Sequence, residues 1–291
     1  MLVSPDAQGG HLSSEGLSPT GEVIPVPSHR HRVALSTYRM DVGLQYLLND
    51  QWTLQANIPY AVKNQEASIE WIDPVSPEER TAILRSRDIH HRNETYTGLS
   101  DSDLFLGYKM RGLFRTGDVL SAQLGTTIPT GKTEENPWKL GDAGIEHLHI
   151  QFGSGTFNPI TNLRYSAPLY RGLMITASGR GMFPFYENSK TYRGPVELSY
   201  TAGFTYRFFD WLSFNGNYLG FYQSAAAWDG ERDINTGLRY SMTALGMSVV
   251  TLNDISVSAN VMFPLTQETL YDAGDAIEFG TLVSVATSYP F

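Results

Sequence analysis

From Arg32 onward the chain alternates large apolar with small or polar residues. Ala34, Tyr38, Met40, Val42, Leu44 and Tyr46 take one set of positions and Thr37, Arg39, Asp41, Gly43 and Gln45 the other. Asn49-Asp50 supplies a tight turn, and Trp52, Leu54, Ala56, Ile58 and Tyr60 return against Thr53, Gln55, Asn57 and Pro59. A period of two is the mark of a strand with one oily and one wet face, so the spacing predicts a long hairpin. The same alternation recurs in Leu104–Met110, Leu120–Ile128, Leu173–Phe185, Val196–Phe208, Leu212–Tyr222, Leu238–Leu252, Ile255–Phe263 and Ile277–Phe291. Ile145–Phe152 and Phe157–Leu169 read as one strand bent at Gly153-Ser154-Gly155, with Asn158, Asn162, Arg164 and Ser166 on its inner face.

The connections alternate between very short turns, near residues 49, 116, 171, 210 and 253, and longer polar loops. Two of these loops are long inserts, from about Lys63 to Thr97 and from Thr130 to about Gly144. Strands of roughly 10–14 residues exceed the usual five or six of globular sheets and suit a tilted crossing of a bilayer. Aromatics stand at the ends of the oily faces, as in interfacial girdles: Trp52 and Tyr60, Tyr206 and Phe208, Tyr289 and Phe291. A soluble sandwich or lipocalin-like barrel fails on volume, because so many aromatic-rich faces would overfill one interior. The expected fold is therefore all-β, a transmembrane antiparallel up-and-down barrel of about twelve strands.

Its last strand ends at Phe291. With the carboxy terminus periplasmic, the short turns fall on that side and the long loops outside. Eleven runs are visible and bacterial barrels have even strand number, so one strand must precede Arg32. Residues 1–30, rich in Gly, Ser and Pro, read as an irregular segment that either plugs the lumen or supplies that strand, around Gly21–Val26; residues 31–291 form the barrel. Met1–Asp6 shows no secretory leader, so a removed leader or an upstream start is expected for a bacterial cell outer membrane protein.

Composition narrows the remaining classes. Among 291 residues there is no Cys, which excludes disulfides, thiolate metal ligands and thiol nucleophiles. A net charge of -9 argues against nucleic acid. Mean hydropathy of -0.23 and the lack of any long apolar run exclude spanning helices but not a barrel, whose wall is only half apolar.

Three stretches resemble a known family. Gly98-Leu99-Ser100-Asp101-Ser102-Asp103-Leu104-Phe105-Leu106-Gly107-Tyr108-Lys109 looks like the "GxxD…GxK" strand of the outer-membrane family named after the phenol-degradation meta pathway. Gly43–Trp52, ending at Ile58-Pro59-Tyr60, is similar to its first periplasmic hairpin, and Ile128-Pro129-Thr130-Gly131 to its outer-rim "PTG". The resemblance covers about residues 35–135 and departs from the family in the first strand and in a His-bearing loop. It implies a transporter or channel for small organic molecules.

The charged candidates lie on the wet faces. Arg39, Asp41, Asp103, Lys109, Arg111, Arg164, Arg180 and Arg207 would line a water-filled path that filters solutes by sign, or pair into a network that fills the lumen. Arg39, Arg164 and Arg180 fall near mid-membrane as a constriction, with Asp41 and Asp103 as partners; such a cationic lumen favours anionic or aromatic-carboxylate solutes. The partners expected are the lipid bilayer and a small organic solute. The competing reading is a non-conducting barrel whose extracellular loops, the 63–97 loop above all, dock a surface protein. No histidine lies beside an obvious nucleophile and no Gly-x-Ser-x-Gly occurs, so neither an enzyme nor a cofactor is expected. His29/His31, His90/His91 and His147/His149 map to the outer rim, and the i,i+2 pairs would point to one side of a strand, a spacing usable by zinc or copper. Solvated loop histidines are the plainer alternative.

Overall fold

The computed structural model describes residues 1–251, 254–271 and 276–290. Twelve antiparallel strands close into one barrel. They are β1 (Leu2–Leu17), β2 (Val23–Leu47), β3 (Trp52–Trp71), β4 (Glu94–Leu99 and Ser102–Arg111), β5 (Val119–Ile128), β6 (Pro159–Tyr170) and β7 (Leu173–Met182). There follow β8 (Glu197–Phe209), β9 (Leu212–Gln223), β10 (Leu238–Val250), β11 (Ser256–Thr269) and β12 (Ala276–Glu278 and Leu282–Ser288). Each strand pairs with its sequence neighbours, and β1 closes the ring by pairing with both β2 and β12. Among the described residues the ring closes from Met1 upward, whereas Met40–Leu47 of β2 and Ala286–Ser288 of β12 lie beyond the reach of β1 and ladder on one side only.

The amino-terminal segment is thus a strand where the composition predicts an irregular stretch, and it lies at Leu2–Leu17, with the turn to β2 where the expected strand at Gly21–Val26 would begin. Its pattern is hidden because it pairs mainly with the outer part of β2, Gly10 opposite Arg32 and Leu17 opposite Val23, above the apolar belt. Gly10 has a φ of +143°, and a Cβ there would lie 1.9 Å from the His31 carbonyl oxygen, so only glycine fits that approach.

The belt itself is legible on β2 and β3. Tyr38, Met40, Val42, Leu44 and Tyr46 point outward and are exposed, whereas Ser36, Arg32 and Arg30 continue the same face beyond them. Opposite, Trp52, Leu54, Ile58 and Tyr60 give way to Asn64, Glu66 and Glu70, and Glu70 pairs with Arg32 at 2.7 Å. The switch near Tyr38 and Tyr60 marks one edge of an apolar band of about nine residues per strand, the extent a bilayer crossing needs. The outer half of this hairpin stands above it. Lys63–Trp71, read from sequence as the start of a polar loop, therefore continues β3, because a strand with two wet faces shows no alternation.

At the short-turn end the connections are residues 48–51, 112–118, 171–172 and 210–211, together with a turn closed by Thr251, Asp254 and Ile255. Leu252, Asn253, Asp272–Asp275 and Phe291, which carry parts of the sequence reading, lie outside the described residues. At the other end stand two inserts. Helix α1 (Pro77–His90) begins at a capping box, Ser76 accepting from the Glu79 backbone while Glu79 accepts from the Ser76 N–H. Its Ala82 and Ile83 bury against Val26, Ile24, Ile69 and Val75. Helix α2 (Pro137–Asp142) starts on Asn136, and residues 143–158 then cross the mouth before β6 begins. Ile145–Phe152 is not a strand: its backbone bonds go to Ile89 and Lys132 instead of to a ladder.

Candidate functional site

The inner faces of the strands hold two charge pairs and, below them, a field of cations. Arg39 and Asp41, two residues apart on one face of β2, pair at 2.8 Å, and Asn57 of β3 donates to Asp41 at 3.3 Å. Arg180 of β7 reaches Asp103 of β4 at 3.1 Å, although β5 and β6 lie between these strands. That contact therefore runs across the lumen. The Arg180 guanidinium also sits 5.7 Å from the centre of the Phe105 ring, which is buried.

Towards the short turns the balance changes. A cavity of about 400 Å³ is lined by Gln45, Gln55, Gln123, Asn162, Lys109 and Arg164 among others. Asn162, Gln123 and Gln55 form a hydrogen-bonded row with links of 3.0 and 2.9 Å along its wall. Lys109, Arg164 and, nearer the end, Arg207 form no ion pair among the described residues. Arg111 is exposed at the foot of β4. The structure thus separates the sequence candidates into a paired upper group (Arg39, Asp41, Asp103, Arg180) and a cationic lower group (Lys109, Arg111, Arg164, Arg207).

A twelve-strand barrel has a narrow interior, and its outer mouth is narrowed further by the second insert. The Gln151 carbonyl accepts from Lys63 at 3.3 Å, the Lys63 ammonium stands over the Phe152 ring, and Asp101 accepts from Gly131, Ser154 N–H and the Ser154 hydroxyl. Asp229, in the connection between β9 and β10, ties that loop to α2 through Asn136 and Lys139, both at 2.7 Å.

No family model matches the sequence, and no curated protein does. Among solved structures, an outer membrane channel from Pseudomonas putida F1 matches with a TM-score of 0.55 at 12% identity, over 99% of this chain and 95% of that one. The chain has the fold of an outer membrane barrel. The OmpT outer membrane protein of Vibrio cholerae also matches, with a TM-score of 0.38 at 10% identity over 99% of this chain and 97% of that one.

Above the lumen, all seven histidines of this barrel meet in one place. His11 of β1 is directly opposite His31 of β2, with ring centres 5.2 Å apart. His29 lies on the same face as His31, and their Nε2 atoms are 3.1 Å apart. His91 follows α1 and stands 5.5 Å from the His11 ring and 5.4 Å from that of His149. His90 Nδ1 lies 2.9 Å from His147 Nε2, which is 3.2 Å from His149 Nε2. His29, His31, His91 and His147 are 0%, 2%, 6% and 4% exposed, so these are not solvated loop residues.

Burial, with the neighbouring His11, His91, His29 and His90, lowers the pKa of His31 to about 2. Burial and the adjacent His11, His90 and His147 take His91 down to about 3. His147 is also lowered by burial, against the pull of the Ile145 carbonyl. The His31 and His91 rings are therefore neutral at neutral pH. His147 and His149 share a side although neither lies in a strand. His11 was missed; its only signal is the register of β1 on β2, which the sequence does not display.

Proposed function

We propose that this chain is an outer-membrane channel for passive passage of small organic solutes, with preference for anions. The observation that supports it most is the cationic lining of Lys109, Arg164 and Arg207 in the lower lumen, without an ion pair among the described residues, above which one ion pair, Arg180–Asp103, crosses the path. In a narrow interior walled by low-dielectric protein, unpaired cations lower the energy of an anion and raise that of a cation. The Arg180–Asp103 contact then acts as the constriction and the second insert as the outer sieve. The motifs that resemble those of the phenol-degradation meta-pathway family support an organic solute, and aromatic carboxylates fit both the charge and the Phe105–Arg180 surface.

Liposome swelling tests this. Vesicles carrying the barrel should swell faster in an aromatic carboxylate than in an aromatic amine of equal size. Equal rates would reject charge selection. The interlocked outer loops favour a second reading, a closed barrel that docks a surface protein; no swelling with any small solute would support that one instead.

A further inference from the structure

We propose that the seven-histidine cluster forms two binding sites for late first-row divalent metal ions, one on His11, His31 and His91 and one on His90, His147 and His149. In each trio one ring nitrogen per residue lies within 4.8 Å of the others. A tetrahedral ion with metal–nitrogen bonds of about 2.0–2.1 Å places its ligand nitrogens about 3.3 Å apart. The contacts of His147 Nε2 to His90 Nδ1 and His149 Nε2, at 2.9 and 3.2 Å, already have that spacing.

Proton accounting points the same way. The Ile145 carbonyl only accepts, so His147 holds its proton on Nδ1, 2.8 Å away, and its Nε2 is a lone pair. Two other ring nitrogens converge on that single lone pair, which one proton cannot satisfy for both. An ion at the centre satisfies all three. In the other half, His29 donates Nδ1–H to the Pro27 carbonyl at 3.0 Å, so its Nε2 accepts, and the proton between the two rings belongs to His31 Nε2. That leaves His31 Nδ1 as a bare lone pair, buried and without a hydrogen-bond partner among the described residues, as is His91 Nε2. Buried nitrogens left so are costly unless something binds them.

The Ile145 carbonyl is the outer partner that orients His147, and His29, itself held by the Pro27 carbonyl, plays that part for His31. Packing is close on the α2 side, where a Cβ on Gly141 would lie 3.0 Å from the His90 ring and 3.2 Å from the His147 ring. Arg92, which donates to the His147 carbonyl, is offset by Glu94 and Glu146. An all-imidazole set selects nickel, copper and zinc and leaves calcium and magnesium, which want oxygen. The ligands come from β1, β2, the end of α1 and the second insert, so the ions would staple the insert across the mouth. Both sites border the upper lumen cavity of about 280 Å³, lined in part by His91 and His149.

The test is a Zn²⁺ titration of the folded, tag-free barrel in detergent, followed calorimetrically, with Cu²⁺ electron paramagnetic resonance on the same sample. Two equivalents of Zn²⁺, nitrogen hyperfine splitting from Cu²⁺, and no Ca²⁺ or Mg²⁺ binding are expected. His147→Gln with His149→Gln should remove one equivalent and keep the other; His31→Gln with His91→Gln should do the reverse. Each loss should exceed the roughly 10–100-fold that removal of an outer partner costs. The equivalent each variant keeps shows that the rest of the histidine cluster is folded. If a variant loses its fold, the resonance of the unsubstituted chain decides, and no nitrogen coupling there overturns the proposal. So would the absence of saturable Zn²⁺ binding, or variants that bind as the parent does. The readout needs no pore, so it stands or falls apart from the channel reading.

Discussion

An arginine scan along the outward face of β8 asks whether the apolar belt faces lipid. Leu198, Tyr200, Ala202, Phe204, Tyr206 and Phe208 all point outward. Successive outward residues are about 6.8 Å apart along a strand, or roughly 5 Å along the membrane normal at a tilt of about 40°. Ala202 then lies near the middle of the belt and Phe208 about 16 Å away, at its short-turn edge. Ala202 carries little packing to lose, so Ala202→Arg reports almost purely on the medium. In lipid the cost should be about 2–4 kcal/mol, roughly a 30- to 800-fold change in the folding equilibrium. Phe208→Arg should cost only about 0–1 kcal/mol beyond its lost ring. Reversible urea unfolding in liposomes, followed by tryptophan fluorescence, measures both. A face in water would tolerate Ala202→Arg within about 0.5 kcal/mol, and a flat profile along β8 would refute the belt.

Three further outcomes follow from named contacts. Arg180→Met leaves the Asp103 carboxylate, whose side chain is 13% exposed, without its partner. We expect about 1–3 kcal/mol of destabilisation, less than for a fully buried pair because Arg180 is itself about one-third exposed, and partial recovery on adding Asp103→Asn, read from a double-mutant cycle. In the turn after β4, burial alone would raise the Asp118 pKa, but the N–H groups of Phe114, Arg115 and Leu113 and the Tyr165 hydroxyl outweigh it and hold the carboxyl below its ordinary 3.8. Because the folded value lies below the unfolded one, this contribution is complete above about pH 4 and is lost as pH falls through the folded value. Asp118→Asn should therefore lower stability at neutral pH and abolish that acid-side loss in a pH series of urea midpoints. Ser76→Ala removes the α1 cap, which costs about 1 kcal/mol, and should speed hydrogen exchange over residues 77–90 by roughly five-fold while leaving the strands unchanged.

The barrel was readable because lipid outside and water inside impose opposite polarities on alternate residues. Where that contrast ends, the pattern ends too. Lys63–Trp71 and Leu2–Leu17 are strands with two wet or half-buried faces above the belt, so they read as loop. Ile145–Phe152 erred in the other direction: its alternation is real, but it packs into the mouth rather than into the ladder. The inward position of Arg39, Asp41, Asp103 and Arg180 followed from strand parity. Which carboxylate each arginine meets did not, since Arg180 and Asp103 are brought together by curvature across strands that never pair. The histidine cluster shows the same limit, for four segments distant in sequence meet only once the ring has closed.

The most direct test of the channel reading is the reversal potential of single barrels in a planar bilayer under a KCl gradient, for the parent chain and for Lys109→Glu with Arg164→Glu. The parent chain should give a potential of the sign that marks chloride preference, moving towards cation preference in the double variant. A parent channel that prefers potassium, or a selectivity the double variant leaves untouched, would contradict it.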